Sequence, residues 1–149
     1  MTAAPGAGTS DPTLTRMFVN GQAMRGGSLH GPLTASGTFL GAARTATGYG
    51  FWSCRDEFPA LQPLSASGST VPGELYAVSF AVLQTQLLPL EPPELELTVI
   101  SLDDGSGSLS MRLRDGIVPE PPDWARIPAG VGWLAYLASR RREFADRAL

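Results

Sequence analysis

Met17-Phe18-Val19-Asn20-Gly21-Gln22-Ala23-Met24-Arg25-Gly26-Gly27 is the stretch whose reading decides the fold. Met17 to Val19 is a short apolar run, as expected of a buried strand. It enters a turn of glycine and small residues, and the chain then moves off through Ser28, Leu29 and His30. A strand that ends this way leaves backbone N–H groups without ladder partners. With glycine present, no Cβ blocks a ligand's approach to them. This is the outline of an anion-binding loop. A plain turn has the same composition, so the rest of the chain must decide between them.

Outward from this stretch the pattern is mostly β. Thr34 to Ala46 reads as one long or bent strand, with Gly41 marking a bend or bulge. Gly48 to Trp52 is a strand with Tyr49 and Phe51 on one face and Trp52 on the other. Arg55 to Leu61 reads as a loop tucking Phe58 and Leu61 inward, and Ser65 to Thr70 as a small polar turn. Val71 to Val78 alternates as a strand. Ser79 is a candidate N-cap for a short amphipathic helix, 80–88, carrying Phe80, Leu83, Leu87 and Leu88, ended by Pro89, Pro92 and Pro93. Leu95 to Leu102 and Ser108 to Arg114 form a hairpin around Asp103-Asp104-Gly105-Ser106-Gly107. Pro119, Pro121 and Pro122 make a stiff linker. The tail from Gly130 to Ala148 is helical, with Trp133, Leu134, Leu137 and Phe144 on one face and Arg140, Arg141, Arg142 and Arg147 on the other. That helix is suited to docking on the body or to homodimer contact.

About six strands, hairpin connections and glycine bends indicate an α+β chain, mainly β, built as a small closed or half-closed barrel. The expected organisation is a disordered lead-in over 1–14, a barrel domain over 15–118, and a Pro-rich linker with a C-terminal helix over 119–149. Within the lead-in, Met1 to Pro12 has neither the basic head nor the apolar block of a signal peptide.

Composition narrows the function. The chain has 149 residues, a size that suits one domain, and 43% of them are hydrophobic. No apolar run approaches the roughly 18 residues needed to span a bilayer, so no membrane partner is expected. The net charge is −3 and 17% of residues are charged, which gives no basic field for nucleic acid. All eleven basic residues are arginine, a sign of a GC-rich bacterial genome that also excludes lysine Schiff-base chemistry. The single cysteine, Cys54, cannot form an internal disulfide, so a cytoplasmic setting is expected, with the thiol a buried apolar residue rather than a nucleophile. One Cys and one His do not make a common zinc site. A Ser-His-Asp triad would have to pass through His30, and no nucleophile elbow is present.

Taken in order, the segments resemble the γ-glutamylcyclotransferase-like (AIG2-like) superfamily and, within it, the C-terminal domain of allophanate hydrolase. The superfamily opens with a strand, a Tyr-Gly-Ser/Thr-Leu loop, Arg-Gly and Asn-His; here Phe18 to Gly26 and then Leu29-His30 stand in those places. Phe39-Leu40-Gly41, Ala46-Thr47-Gly48-Tyr49, Phe58-Pro59-Ala60-Leu61 and Val71 to Tyr76 follow in family order. Ile127 to Leu137 is similar to the family's closing segment. The match covers about residues 16–137 and implies a six- to seven-stranded mixed barrel with a short helix beside it. The departures are specific. Asn20 replaces the loop Tyr, and Gln22 the Ser/Thr. The family's Leu-Asp-x-x-Glu-Gly reads Leu87-Leu88-Pro89-Leu90-Glu91-Pro92, keeping the Glu. Ala23 stands where the allophanate hydrolase domain has a His.

The resemblance implies that Glu91 is the acid/base. Among Leu87, Leu90, Pro92 and Pro93 such a carboxylate would titrate near neutrality; the alternative is a solvated residue at a helix end, with Glu94 or Glu96 in its role. His30 is either a second proton carrier or a pin for the loop. The N–H groups of Gly21, Gln22, Ala23 and Met24 would hold a substrate carboxylate. The amides of Asn20 and Gln22 would hydrogen-bond it, and Tyr49 would contact substrate or pack in the core. Two readings follow. One is a cofactor-independent small-molecule enzyme, without metal, acting on a carboxylate or amide substrate. Its reaction would be amide cleavage with cyclisation, or a related decarboxylation or isomerisation in specialised metabolism. The other is a non-catalytic binding or accessory module that kept the fold and lost the chemistry.

Overall fold

The computed structural model of the chain describes residues 11–64 and 69–148. Residues 1–10 of the expected lead-in and 65–68 of the expected polar turn lie outside the described residues. Eight strands form two sheets. Leu14–Val19 (β1), Thr38–Arg44 (β2), Pro72–Ser79 (β5), Leu95–Ser101 (β6) and Gly107–Leu113 (β7) make the larger, in the order β2-β5-β1-β7-β6. Tyr49–Cys54 (β3), Phe58–Pro63 (β4) and Trp124–Arg126 (β8) make the smaller, in the order β4-β3-β8. The helices are α1 (Gly31–Ser36), α2 (Phe80–Val82) and α3 (Trp133–Ala148). Among the described residues no helix is long and apolar enough to cross a membrane.

β1 is the middle strand of the five. It pairs antiparallel with β5, from Leu14 opposite Ser79 to Val19 opposite Glu74, and parallel with β7 through Met17 and Leu109. A central strand is covered on both faces. That is why Met17, Phe18 and Val19 are all buried rather than alternating. Gly41 has φ +136°, and the β2–β5 register shifts between Phe39 and Gly41, so the expected irregularity is a β-bulge. The sheets do not close, which corrects the six- to seven-stranded barrel. A single bridge, Thr45 to Leu102, ties the ends of the two outer strands β2 and β6.

Three elements differ from the sequence pattern for local reasons. Residues 31–36 are helical, so the strand expected from Thr34 begins only at Thr38. Pro32 sits at the helix start, where a missing N–H costs nothing, and Leu33 anchors the turn in the core. Residues 58–63 are a strand rather than a loop; β4 is an outer strand of its sheet, so Pro59 can stand in it. β8, three residues in the expected linker, is held by its pairing with β3. Ser79 does cap α2, accepting from the Val82 N–H at 3.1 Å. The helix then loosens to a π segment, Leu83–Leu87, and tightens to a 3₁₀ turn, Leu88–Leu90. Leu83 and Leu87 are the buried pair.

The tail helix begins at Trp133, and Trp133, Tyr136 and Leu137 are its buried face. Phe144 does not continue that face; it is 78% exposed. The main core packs β1, β5, α1, the π segment and α3 together, with Phe18 and Trp133 inside it.

Candidate functional site

The loop after β1 folds back on itself. Met24 donates its N–H to Gly21 O at 3.1 Å, Gly27 to Met24 O at 2.8 Å and Leu29 to Gln22 O at 2.8 Å. Gly27 is required here, since a Cβ would stand 2.1 Å from the Gln22 oxygen. The N–H of Arg25 is also spent, on Glu74 Oε1 at 2.9 Å. The N–H groups of Gly21, Gln22 and Ala23 find no acceptor among the described residues. Asn20 Nδ2 is buried without one as well. Of the four N–H groups expected over Gly21 to Met24, three are therefore free among the described residues, and that of Met24 serves the loop's own turn.

The residues that carry these groups line a cavity of about 170 Å³ whose lining also includes Glu91 and Pro92. Phe58, Pro59, Leu95 and Met111 complete its apolar walls, Ser110 its polar floor, and Glu57 reaches it from the β3–β4 turn. Glu91 follows the 3₁₀ turn. Its N–H closes that turn on Leu88 O at 3.1 Å, and its backbone leaves in an extended conformation. Its carboxyl group makes no hydrogen bond or ion pair among the described residues. Burial pushes it up to about 7 from an ordinary 4.5. A carboxyl group so poised exchanges a proton near neutrality and, sharing a cavity with residues whose N–H groups are free, could act on a carbonyl bound there.

Its neighbours are committed elsewhere. Glu94 pairs with Arg55 at 3.5 Å and Glu96 with Arg112 at 2.9 Å. Neither reaches the cavity between the loop and Glu91.

The structure does not bring every sequence candidate to the cavity. His30 places Nδ1 2.8 Å from Ala23 O and packs against Tyr76 with the rings tilted by 60° at 5.8 Å, so it pins the loop away from the cavity. The Tyr49 hydroxyl accepts from the Ser101 N–H at 3.0 Å and ties β3 to the end of β6. Neither lines the cavity, and neither does Met24. Cys54 is fully buried, and burial pushes its thiol up. Among the described residues no three His, Cys, Asp or Glu side chains cluster as a metal site would require.

One positioning group escaped the sequence reading. The β3–β4 turn places both Arg55 and Asp56 at positive φ, 52° and 56°, positions that usually call for Asn-Gly. Asp56 holds the turn. Its Oδ1 accepts from the Ser53 hydroxyl at 2.7 Å and the Tyr136 hydroxyl at 3.2 Å, and its Oδ2 from Arg140 Nε at 3.2 Å. Burial would raise this carboxyl, but those donors outweigh it and hold it below its ordinary value. The turn so fixed carries Glu57, Phe58 and Pro59 into the cavity wall. Pro59 lies against the Gly21 backbone, 2.8 Å from where a Cβ would be. An Arg-Asp pair between two strand-like runs was the available signal.

Residues 15–138 match the model of the allophanate hydrolase C-terminal domain family. The chain belongs to that family. The fold neighbours agree. A uropathogenic E. coli-specific protein is 28% identical with a TM-score of 0.74, the match covering 85% of this chain and 97% of that one. Kluyveromyces lactis allophanate hydrolase is 19% identical with a TM-score of 0.75 over 84% of this chain, which spans 21% of that enzyme. An AIG2-like protein from Mus musculus is 18% identical with a TM-score of 0.55, covering 71% of this chain and 80% of that one. A search of curated proteins finds no match. The family and its neighbours share the γ-glutamylcyclotransferase-like fold, and within it this member carries Ala23, Asn20 and Gln22 along the cavity.

Proposed function

We propose that this allophanate hydrolase C-terminal domain family member is a cofactor-independent enzyme that moves a proton on a small amide or carboxylate substrate. The observation that carries the reading is the meeting of Glu91 and the free N–H groups of Gly21 to Ala23 across one cavity. For cyclising amide cleavage, ionised Glu91 takes a proton from the substrate's amine as that amine attacks the amide carbonyl. The N–H groups hold the oxygen as it becomes negative. The C–N bond then breaks, and the Glu91 proton goes to the departing amine. The same arrangement serves an isomerisation, with Glu91 taking a proton from one carbon and returning it to another, or a decarboxylation, in which the C–C bond breaks, CO2 leaves and protonated Glu91 delivers its proton to the carbon left behind. Asn20, Gln22 and Ala23 in the cradle favour a substrate other than a γ-glutamyl amino acid.

Glu91→Gln tests the role. General acid–base work contributes about 10²–10⁴-fold, so turnover of small amides and carboxylates should fall by at least about 100-fold while ligand binding survives. Full turnover in the variant would remove Glu91 from the mechanism. Ordinary conversion of γ-glutamyl amino acids to 5-oxoproline by the unaltered protein would overturn the substrate assignment. The second reading, a binding module without chemistry, is favoured by the placement of His30, which leaves the cavity without a histidine proton carrier. Ligand binding without turnover in the unaltered protein would decide for it.

A further inference from the structure

The second half of α3 overhangs the body of the protein: Tyr136 and Leu137 are buried, but every residue from Arg140 to Arg147 is exposed. Leu137, Arg140, Arg141 and Phe144 follow at steps of three and four, so they share one face of the helix. That face forms one wall of a groove of about 550 Å³, with Gln22 and Asp56 opposite. The expected division of α3 into an apolar face and an arginine face therefore fails here, since Phe144 and three of the arginines line the groove together. Gln22 also lines the cavity, so groove and cavity meet at a single side chain.

The charges of the groove are unequal. Arg140 is held between Asp56 and Glu143, at 3.2 Å from each. Arg141 and Arg147 have no acidic partner among the described residues, and both line the groove. The cavity itself has no basic side chain in its lining. Of the cavity and the groove, the groove is therefore the one that offers an anionic part of a ligand a charge partner, with Leu137 and Phe144 offering apolar contact beside it.

We propose that the α3 groove is the second half of the binding site, taking the carboxylate end of an elongated substrate whose carbonyl end sits in the cavity at Gly21 to Ala23. The ligand class is a carbonyl compound with a short apolar chain ending in a carboxylate. This rests on the reading of the cavity given above.

The two parts are separable by NMR on the full chain with ¹⁵N label, titrated with glutarate, adipate and pimelate and with monocarboxylates of equal chain length. Backbone signals of Gly21, Gln22 and Ala23 report the cavity; the Nε–H signals of Arg141 and Arg147 report the groove. At least one diacid should bind about tenfold more tightly than its matched monoacid and move both sets. The double variant Arg141→Gln/Arg147→Gln should reduce that diacid to monoacid affinity while the cavity shifts persist. Equal affinity of diacid and monoacid, an unaffected double variant, or arginine shifts without cavity shifts would overturn the proposal and leave the cavity reading standing on its own test. Acids that bind and move neither set would remove the cavity reading as well.

Discussion

Glu74 and Glu91 are both withdrawn from water, and they titrate in opposite directions. Glu74, on β5, has its side chain 13% exposed and accepts three hydrogen bonds. They come from the Arg25 N–H at 2.9 Å, Arg25 Nε at 3.0 Å and the Tyr76 hydroxyl at 3.0 Å. Burial would raise its carboxyl, but these donors outweigh it and hold it below 4.5. The Tyr76 hydroxyl, buried and facing that charge, is pushed up to about 12. Glu91 has the burial without the donors, and rises to about 7. One region of the loop's surroundings therefore spends its polar groups on fixing the loop, and the other withholds them. Evolution of a stable fold favours the first arrangement. A buried carboxyl left without donors is a cost that a site for proton transfer explains.

The contrast predicts opposite pH behaviour. A raised carboxyl group binds more protons folded than unfolded, so its contribution falls as pH climbs from 4.5 through 7. The full shift is worth up to about 3 kcal/mol. Glu91→Gln should therefore be more stable than the parent at pH 8, by up to about 3 kcal/mol, with the difference vanishing near pH 4. Thermal unfolding across that range measures it, at roughly 2–4 °C per kcal/mol for a domain of this size. A constant difference at all pH values would mean that Glu91 is not buried as a charge. Glu74 has the opposite sign. Its contribution is present above its unfolded value and is lost as pH falls below it. Glu74→Ala should cost about 2 kcal/mol at pH 7, because it leaves the buried Tyr76 hydroxyl and the Arg25 N–H without an acceptor. The penalty should shrink in acid.

Much of this arrangement was legible where chemistry is local. The apolar run Met17 to Val19, the hairpin at Asp104-Gly105, the cap at Ser79 and the bulge at Gly41 each depend on one residue type with one backbone requirement. The order of such pieces also brought the family into view. The misses have a common cause. Pro59 and the prolines before Trp124 suggest a loop and a linker, yet each stands where its missing N–H is harmless: an outer strand, and the approach to a strand held by one neighbour. The same limit applies within the site. Glu91, Asn20, Gly21, Gln22 and Ala23 converge, whereas His30, Tyr49 and Met24 turn away. For His30 and Tyr49 what decides is the partner each side chain meets, Ala23 O and Tyr76 for one and the Ser101 N–H for the other, none of them implied by position in the chain. No spacing rule carries that information.

Asp56 offers the finest test of whether the burial of Glu91 depends on the cavity wall. The hairpin tip asks for two residues at positive φ and has Arg55 and Asp56 there, of which only Asp is at ease in that conformation. Asp56→Ala should cost about 1.5 kcal/mol, combining the lost acceptor for Ser53 and Tyr136 with a less tolerant backbone. Asp56→Asn keeps an acceptor oxygen and the tolerance for positive φ, and gives up the half-exposed charge pair with Arg140. It should cost no more than about 0.5 kcal/mol. The decisive readout is the titration of Glu91, followed by carboxyl ¹³C NMR. If the clasp holds Phe58 and Pro59 against the loop, Asp56→Ala admits water and moves Glu91 from about 7 back toward 4.5, while Asp56→Asn leaves it in place. If Glu91 titrates identically in both variants, the wall is rigid without its clasp, and the contrast between the two glutamates belongs to the 3₁₀ turn that carries Glu91 alone.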